Sequence, residues 1–320
     1  MTFVRTVLGD IDPSRLGATD AHEHLVIDGG RLVEQAPDFL LADVDRVAFE
    51  LADAAAAGLG AAIEAMPIGC GRNPAKLAEL SRRTGVHLVA ATGLHHARFY
   101  LGDHWSATAS ADELAAAFVV DIQVGIDAAD ERTAVVRRSP VRAGVVKVAG
   151  SEARLSERDR RAFEAAAAAH RATGVPILTH CDAGTAALEQ IDVLVGAGVA
   201  AGHIALSHVD KVVDRGYHRD IAATGALAVY DNAFRWADEA NGTLQLLEWA
   251  VEDDRIDNVM LGLDAARQGY YRSFGGSPGL AWLLTGFARE MTQRGLDAAT
   301  QRRIFVDNPA RAFAFAEVLG

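Results

Sequence analysis

The sequence has 320 residues, half of them hydrophobic and 23% charged, a globular composition that excludes whole-chain disorder. Acidic residues outnumber basic ones 43 to 31, and the formal net charge of −12 lacks the basic footprint of a general nucleic-acid binder. Only two cysteines, Cys70 and Cys181, are present, which excludes a disulfide scaffold.

Asp10 and Asp12 arrive before any apolar run forms after Met1, so no secretory leader is expected. No apolar run is long enough to span a bilayer, so no membrane partner is expected and the reading is a soluble, cytoplasmic protein. From residue 17 onward short β-like runs alternate with longer stretches of helical spacing. A strand is expected at 17–26, a helix at 43–57, and strands at 61–67, 87–94 and 144–149. A helix at 158–172 leads to a strand at 176–181, and a helix at 187–197 to a strand at 204–209. Then come a helix at 217–223, a strand at 226–230, a helix at 243–251 and a strand at 259–263. Helices at 280–294 and 310–318 close the chain. Strands separated by helices pair in parallel, and eight such units closing on themselves make a (β/α)8 barrel over a single domain, residues 1–320. An open doubly wound sheet would carry a glycine-rich loop after its first strand, and here that strand ends in Asp20-Ala21-His22-Glu23-His24.

Barrel strands are buried on both faces, so polar residues near their C-terminal ends stand out, and that is where barrel active sites lie. His22 and His24 are two apart on a strand and share a face. A shared divalent metal would relieve their mutual repulsion, and two hydrogen-bonded core histidines are the alternative. His180 ends Val175-Pro176-Ile177-Leu178-Thr179-His180, and His208 ends Ile204-Ala205-Leu206-Ser207-His208. Asp264 follows Val259-Met260-Leu261-Gly262-Leu263, where a carboxylate needs a cation, hydrogen-bond donors or a role as helix cap. Lys147 lies inside Gly144-Val145-Val146-Lys147-Val148-Ala149. Burial lowers the pKa of such an amine, and a neutral amine can react with carbon dioxide to give an anionic carbamate able to bridge two metals. A buried ion pair or a Schiff-base lysine are the alternatives. Four histidines and an aspartate exceed the needs of one tetrahedral zinc and suit two metals roughly 3.5–4 Å apart.

These residues, in this order, resemble the phosphotriesterase family of the amidohydrolase superfamily, in its lactonase branch, over nearly the whole chain. Val7-Leu8-Gly9 and Leu16-Gly17-Ala18-Thr19-Asp20-Ala21-His22-Glu23-His24 are similar to the family's opening. Thr179-His180-Cys181-Asp182-Ala183-Gly184-Thr185, Ser207-His208-Val209-Asp210, Leu261-Gly262-Leu263-Asp264 and Asn308-Pro309-Ala310-Arg311-Ala312-Phe313 are similar to its later segments. The resemblance implies an α/β fold, a (β/α)8 TIM barrel with a short N-terminal β extension. It implies a binuclear centre of two divalent metal ions, usually zinc, with a hydroxide between them as nucleophile. His22, His24 and Asp264 would hold the buried metal, and His180 and His208 the more exposed one. Lys147, carbamylated to a carboxylysine, would bridge both. Asp264 would accept and return the proton, with Lys147 as the other catalytic residue. A homodimer is common in such a family. Lys211 stands where the triesterases tend to carry another acid, which weakens transfer of their proton relay.

Substrate class must be read from loops. After the last strand run Asp264-Ala265-Ala266-Arg267-Gln268-Gly269-Tyr270-Tyr271-Arg272, after the seventh Tyr230-Asp231-Asn232-Ala233-Phe234-Arg235-Trp236, and after the third Gly93-Leu94-His95-His96-Ala97-Arg98-Phe99-Tyr100. Such a rim suits a polar or anionic small molecule, and solvated loop charges are the plain alternative. The last loop is similar to that of family members hydrolysing sugar lactones, including phosphorylated ones. On that likeness Arg267 and Tyr270 bind phosphate or hydroxyl groups, with Tyr100 and Arg235 opposite. The expected activity is metal-dependent lactone hydrolysis; the competing readings are a phosphotriesterase, an acyl-homoserine lactonase, and a barrel that binds without turnover. His95 and His96 are adjacent on an extended segment, so only one is expected to face inward. Cys181 is expected to be a small buried hydrophobe, and Trp282, Phe287, Phe313 and Phe315 to cover the barrel.

Overall fold

The computed structural model describes residues 2–131, 133, 135–236 and 240–317. An antiparallel hairpin of β1 (Val4–Thr6) and β2 (Gly9–Ile11) opens the chain. Eight parallel strands follow: β3 (Ala18–Glu23), β4 (Leu59–Glu64), β5 (His87–Leu94), β6 (Val145–Gly150), β7 (Ile177–Cys181), β8 (Ile204–Ser207), β9 (Leu227–Tyr230) and β10 (Val259–Leu261). Each pairs with the next in sequence from β3 to β10. The remaining seam is drawn together where the Asp264 amide donates to the His22 carbonyl at 2.9 Å. Glycine is needed there, because a Cβ on Gly262 would lie 2.8 Å from the His22 nitrogen. The result is a nearly closed (β/α)8 barrel.

The helices are α1 (Arg31–Gln35), α2 (Val44–Ala56), α3 (Pro74–Thr84), α4 (Ala111–Gln123), α5 (Glu157–Thr173), α6 (Ala187–Gly196), α7 (Arg215–Ala223), α8 (Gly242–Glu252), α9 (Gly286–Gln293), α10 (Ala298–Arg302) and α11 (Asn308–Ala312). Two apolar layers result. Val89, Val145, Leu178, Leu227, Val229 and Met260 fill the barrel, and a larger shell packs strands against helices. The hairpin plugs the bottom through Val4, and Phe313 enters the same interior cluster.

The helix expected at 280–294 is a 3₁₀ turn, Leu280–Leu283, followed by α9. The one expected at 310–318 ends at Ala312, because the next residues run beneath the barrel: Phe315 donates its amide to Phe3 O at 2.8 Å and stacks on that ring. Val318 lies outside the described residues. Phe287, Phe313 and Phe315 are buried, and Trp282 is partly so. No described helix is long and apolar enough to cross a membrane.

Candidate functional site

All six side chains singled out at strand ends converge at the C-terminal mouth of the barrel. His22 lies in β3, His24 one residue beyond it, Lys147 in β6 and His180 in β7. His208 directly follows β8, and Asp264 lies just past β10. His24 Nε2 is 3.2 Å and His22 Nε2 3.8 Å from Asp264 Oδ1. Lys147 Nζ is 3.3 Å from His22 Nε2, and His208 Nε2 is 2.8 Å from His180 Nδ1. The second carboxylate oxygen of Asp264 is 4.0 Å from His208 Nδ1.

One residue missed by the strand-end reading organises this cluster. Asp231, one residue beyond β9 and fully buried, accepts from His22 Nδ1 at 2.7 Å and from His208 Nδ1 at 2.8 Å. It also accepts the His208 amide at 3.2 Å. With the protons of both rings on Nδ1, each Nε2 presents a lone pair to the centre. Asp210, buried behind it, accepts from Asn232 and Thr243 and so fixes the loop after β9. Lys211 is exposed.

Electrostatics favour metal-ligand protonation states. Burial, then the charge of Lys147, pushes the His22 imidazole down to about 3 despite its bond to Asp231. Burial and the neighbouring His208 hold His180 well below its ordinary value. Burial works to raise Asp264, but the hydrogen bond to His24 and the charges of His22, His208 and Arg235 outweigh it, so this group stays a carboxylate. Lys147 is 1% exposed, and burial lowers its amine to about 8. Neutral imidazoles, a carboxylate and an easily neutralised amine are the donor set a pair of divalent cations requires. Within that cluster His180 Nε2 is buried without a hydrogen-bond partner among the described residues. The site residues therefore fit a binuclear centre.

Lys147 is held by Ser207 Oγ at 3.0 Å and, more loosely, by the Thr179 carbonyl at 3.5 Å. Its strand needs a close neighbour in β5: Gly93 has φ +109°, and a Cβ there would lie 2.0 Å from the Lys147 carbonyl oxygen.

The expected substrate residues divide. Arg267 pairs with Asp38 at 2.5 Å and lies over the Phe39 ring, and it stays half-buried at the rim. Tyr270 is half-buried, with its ring against Phe234 and 5.3 Å from the Arg235 guanidinium. Tyr100 lies deeper than the other three. Its buried hydroxyl donates to Ile68 O at 2.9 Å and accepts the His95 amide at 2.9 Å, bonds that brace the loop after β5. Arg235 is tied more tightly than a free rim charge. It donates to the carbonyls of Asp231, Leu263 and Asp264, and to Asp264 Oδ2 at 3.1 Å. His95 and His96 are a correction, because both rings approach His180, at 5.2 and 4.7 Å between centroids. The chain leaves extended geometry there, entering a 3₁₀ turn at Ala97, so alternation no longer applies.

The sequence matches the Phosphotriesterase family over residues 2–313. The chain belongs to that family. It is 32% identical to the phospho-furanose lactonase of Mycoplasmopsis synoviae (strain 53), a match covering 98% of this chain and 92% of that protein. Its fold is similar to the crystal structure of an amidohydrolase from Mycoplasma synoviae, with a TM-score of 0.94, 31% identity, and coverage of 100% and 94%. It is also similar to that of a lactonase from Listeria monocytogenes, with a TM-score of 0.89, 28% identity, and coverage of 98% and 100%. Like other members of its family, the chain is a hydrolase.

Proposed function

We propose that this protein is a metal-dependent lactonase that opens the ring of a phosphorylated sugar lactone. The full-length likeness to a protein named phospho-furanose lactonase carries this reading, and the arginines and tyrosine at the mouth of the barrel support it. His22, His24 and Asp264 would hold one ion, His180 and His208 the other, and carbamylated Lys147 would join them; zinc suits a set so rich in histidine. When bound, the ions supply an activated water and polarise the lactone carbonyl.

The chain's own groups do the rest. Asp231 keeps the protons of His22 and His208 on Nδ1 and so aims both Nε2 atoms at the centre. Asp264 is held as a carboxylate by its neighbours and accepts the proton given up as water attacks the carbonyl carbon. It returns that proton to the ring oxygen as the carbon–oxygen bond breaks, leaving a hydroxy acid. Arg235 fixes the carboxylate through Oδ2 and the backbone on both sides of it. Arg267 and Tyr270 meet the phosphate, where a charge-assisted contact gives geometric specificity.

The test is a panel of lactones, phosphorylated and not, run beside aryl phosphotriesters on zinc-reconstituted protein. Phosphorylated lactones are expected to be turned over fastest, with Arg267→Ala raising KM for them alone. Lys147→Ala and Asp264→Asn are expected to abolish turnover. A triester rate far above the best lactone rate would overturn the assignment.

A further inference from the structure

Among the side chains inside the barrel, Ser207 has a polar atom that neither the fold nor the catalytic steps above account for. It is the last residue of β8, fully buried, and pairs across the ladder with His180 of β7. Two positions earlier on the same face of the strand stands Ala205, part of the interior apolar cluster. A methyl group would serve packing equally well at 207, so the hydroxyl needs a reason.

Its hydrogen bonds supply one. Ser207 Oγ donates its proton to the Thr179 carbonyl at 2.5 Å, which leaves its lone pairs free to accept. The donor that faces them is Lys147 Nζ, 3.0 Å away. The two other acceptors around Nζ are His22 Nε2 at 3.3 Å and Thr179 O at 3.5 Å. If His22 Nε2 turns its lone pair to a cation, as proposed above, it no longer accepts from Nζ. Ser207 then presents the best-placed acceptor left to the lysine nitrogen.

We infer that Ser207 is a positioning residue for the modification of Lys147, orienting first the amine and then the single N–H that its carbamate keeps. The inference rests on the carbamate reading of the preceding section. In that step the neutral Nζ lone pair forms a nitrogen–carbon bond to carbon dioxide, one carbon–oxygen π bond breaks, and one nitrogen proton leaves to solvent. The product is a planar carbamate anion with one N–H. Because that plane is rigid, an acceptor holding the N–H also sets the direction of the two carbamate oxygens. An apolar residue at 207 would leave both the N–H and the oxygen pair less constrained.

The experiment strips the protein with chelator and reloads it with zinc at graded concentrations of 13C-bicarbonate. The carbamate carbon signal is followed by NMR, and retained zinc by elemental analysis, for the wild type, Ser207→Ala and Ser207→Cys. The bicarbonate concentration at half-maximal signal is expected to rise about tenfold in Ser207→Ala, the equivalent of about 1.4 kcal/mol. Ser207→Cys, close in size but a weaker acceptor, is expected to fall between, and it carries the comparison if the alanine variant does not fold. Wild-type protein without a carbamate signal at any bicarbonate concentration overturns the reading of Lys147 and this inference with it. A wild-type signal matched at the same midpoint by the folded variants overturns the role of Ser207 alone.

Discussion

Replacing Asp231 by asparagine tests whether the cluster is organised from behind. The carboxylate accepts from two imidazole Nδ1 atoms, from the His208 amide and from Asn232 Nδ2. Asparagine keeps one oxygen and replaces the other with an NH2 group. One histidine keeps its partner, while the other meets a donor with a donor. That ring must either turn away or move its proton to Nε2, where it blocks the lone pair aimed at the centre. Outer partners of metal-ligating histidines are typically worth about 10–100-fold in metal affinity, or about 1.4–2.7 kcal/mol. Only one of two histidines is disabled, so the expected loss lies toward the lower half of that range. Thermal stability is a poor readout here, because removing a buried charge offsets part of the lost hydrogen bonding. The assay is competition for zinc against a chromophoric chelator, with the imidazole tautomers read by 15N NMR. Zinc binding within twofold of wild type, with both rings still protonated on Nδ1, would refute the role given to Asp231.

Three further outcomes are expected from the same structure. Arg72, 2% exposed, lies 2.8 Å from both Asp121 and Asp130, so Arg72→Met leaves the buried Asp130 carboxylate without this cation and Asp121 with Arg138 alone. It should cost about 3–5 kcal/mol in urea unfolding, and a loss under about 1 kcal/mol would contradict the pairing. Gly93→Ala forces a Cβ toward the Lys147 carbonyl at a φ of +109°, and should cost about 3 kcal/mol or more and lower zinc retention; a variant that unfolds and retains zinc like wild type counts against the close approach. Asp253 is held below the ordinary carboxylate value by hydrogen bonds from Arg219 and Arg215. Its contribution is therefore complete above the unfolded carboxylate pKa and is lost as pH falls through the lowered one. Asp253→Asn should flatten the acid side of the stability–pH curve, and equal slopes for variant and wild type would contradict this.

The parts of the molecule that could be read from sequence are those where one local pattern has one physical meaning. Short apolar runs alternating with helical spacing read as the eight buried parallel strands, and a histidine or aspartate at the end of four of those runs marked the site. The helices α3 and α4 were passed over although their caps were present: Asn73 before Pro74, and the Ser110 and Glu113 capping box. Asp231 was invisible for a different reason. An acid just after a strand also reads as a loop residue, and its partner His22 lies 209 positions away. Tyr100 and Arg235 were legible as polar loop residues, but the Ile68, Leu263 and Asp264 carbonyls that occupy them lie 28 to 32 positions away, in loops and strand ends that sequence spacing does not bring together.

Strict alternation along strands fails at the site itself, and the failure has a structural cause. Ser207 and His208 are consecutive, yet the first faces Lys147 and the second faces His180 and Asp231. In extended backbone they would point to opposite sides. His208 instead has φ +70°, and Asp264 has φ +53°. The left-handed region costs a non-glycine residue about 1–2 kcal/mol. Each residue is held there by a bond from its own amide, His208 to the Asp231 carboxylate and Asp264 to the His22 carbonyl. The same carboxylate that fixes two imidazole tautomers thus also helps hold one strained residue in place. Loss of Asp231 should therefore misplace His208 as a whole, backbone included, while Asp264 keeps its anchor on His22.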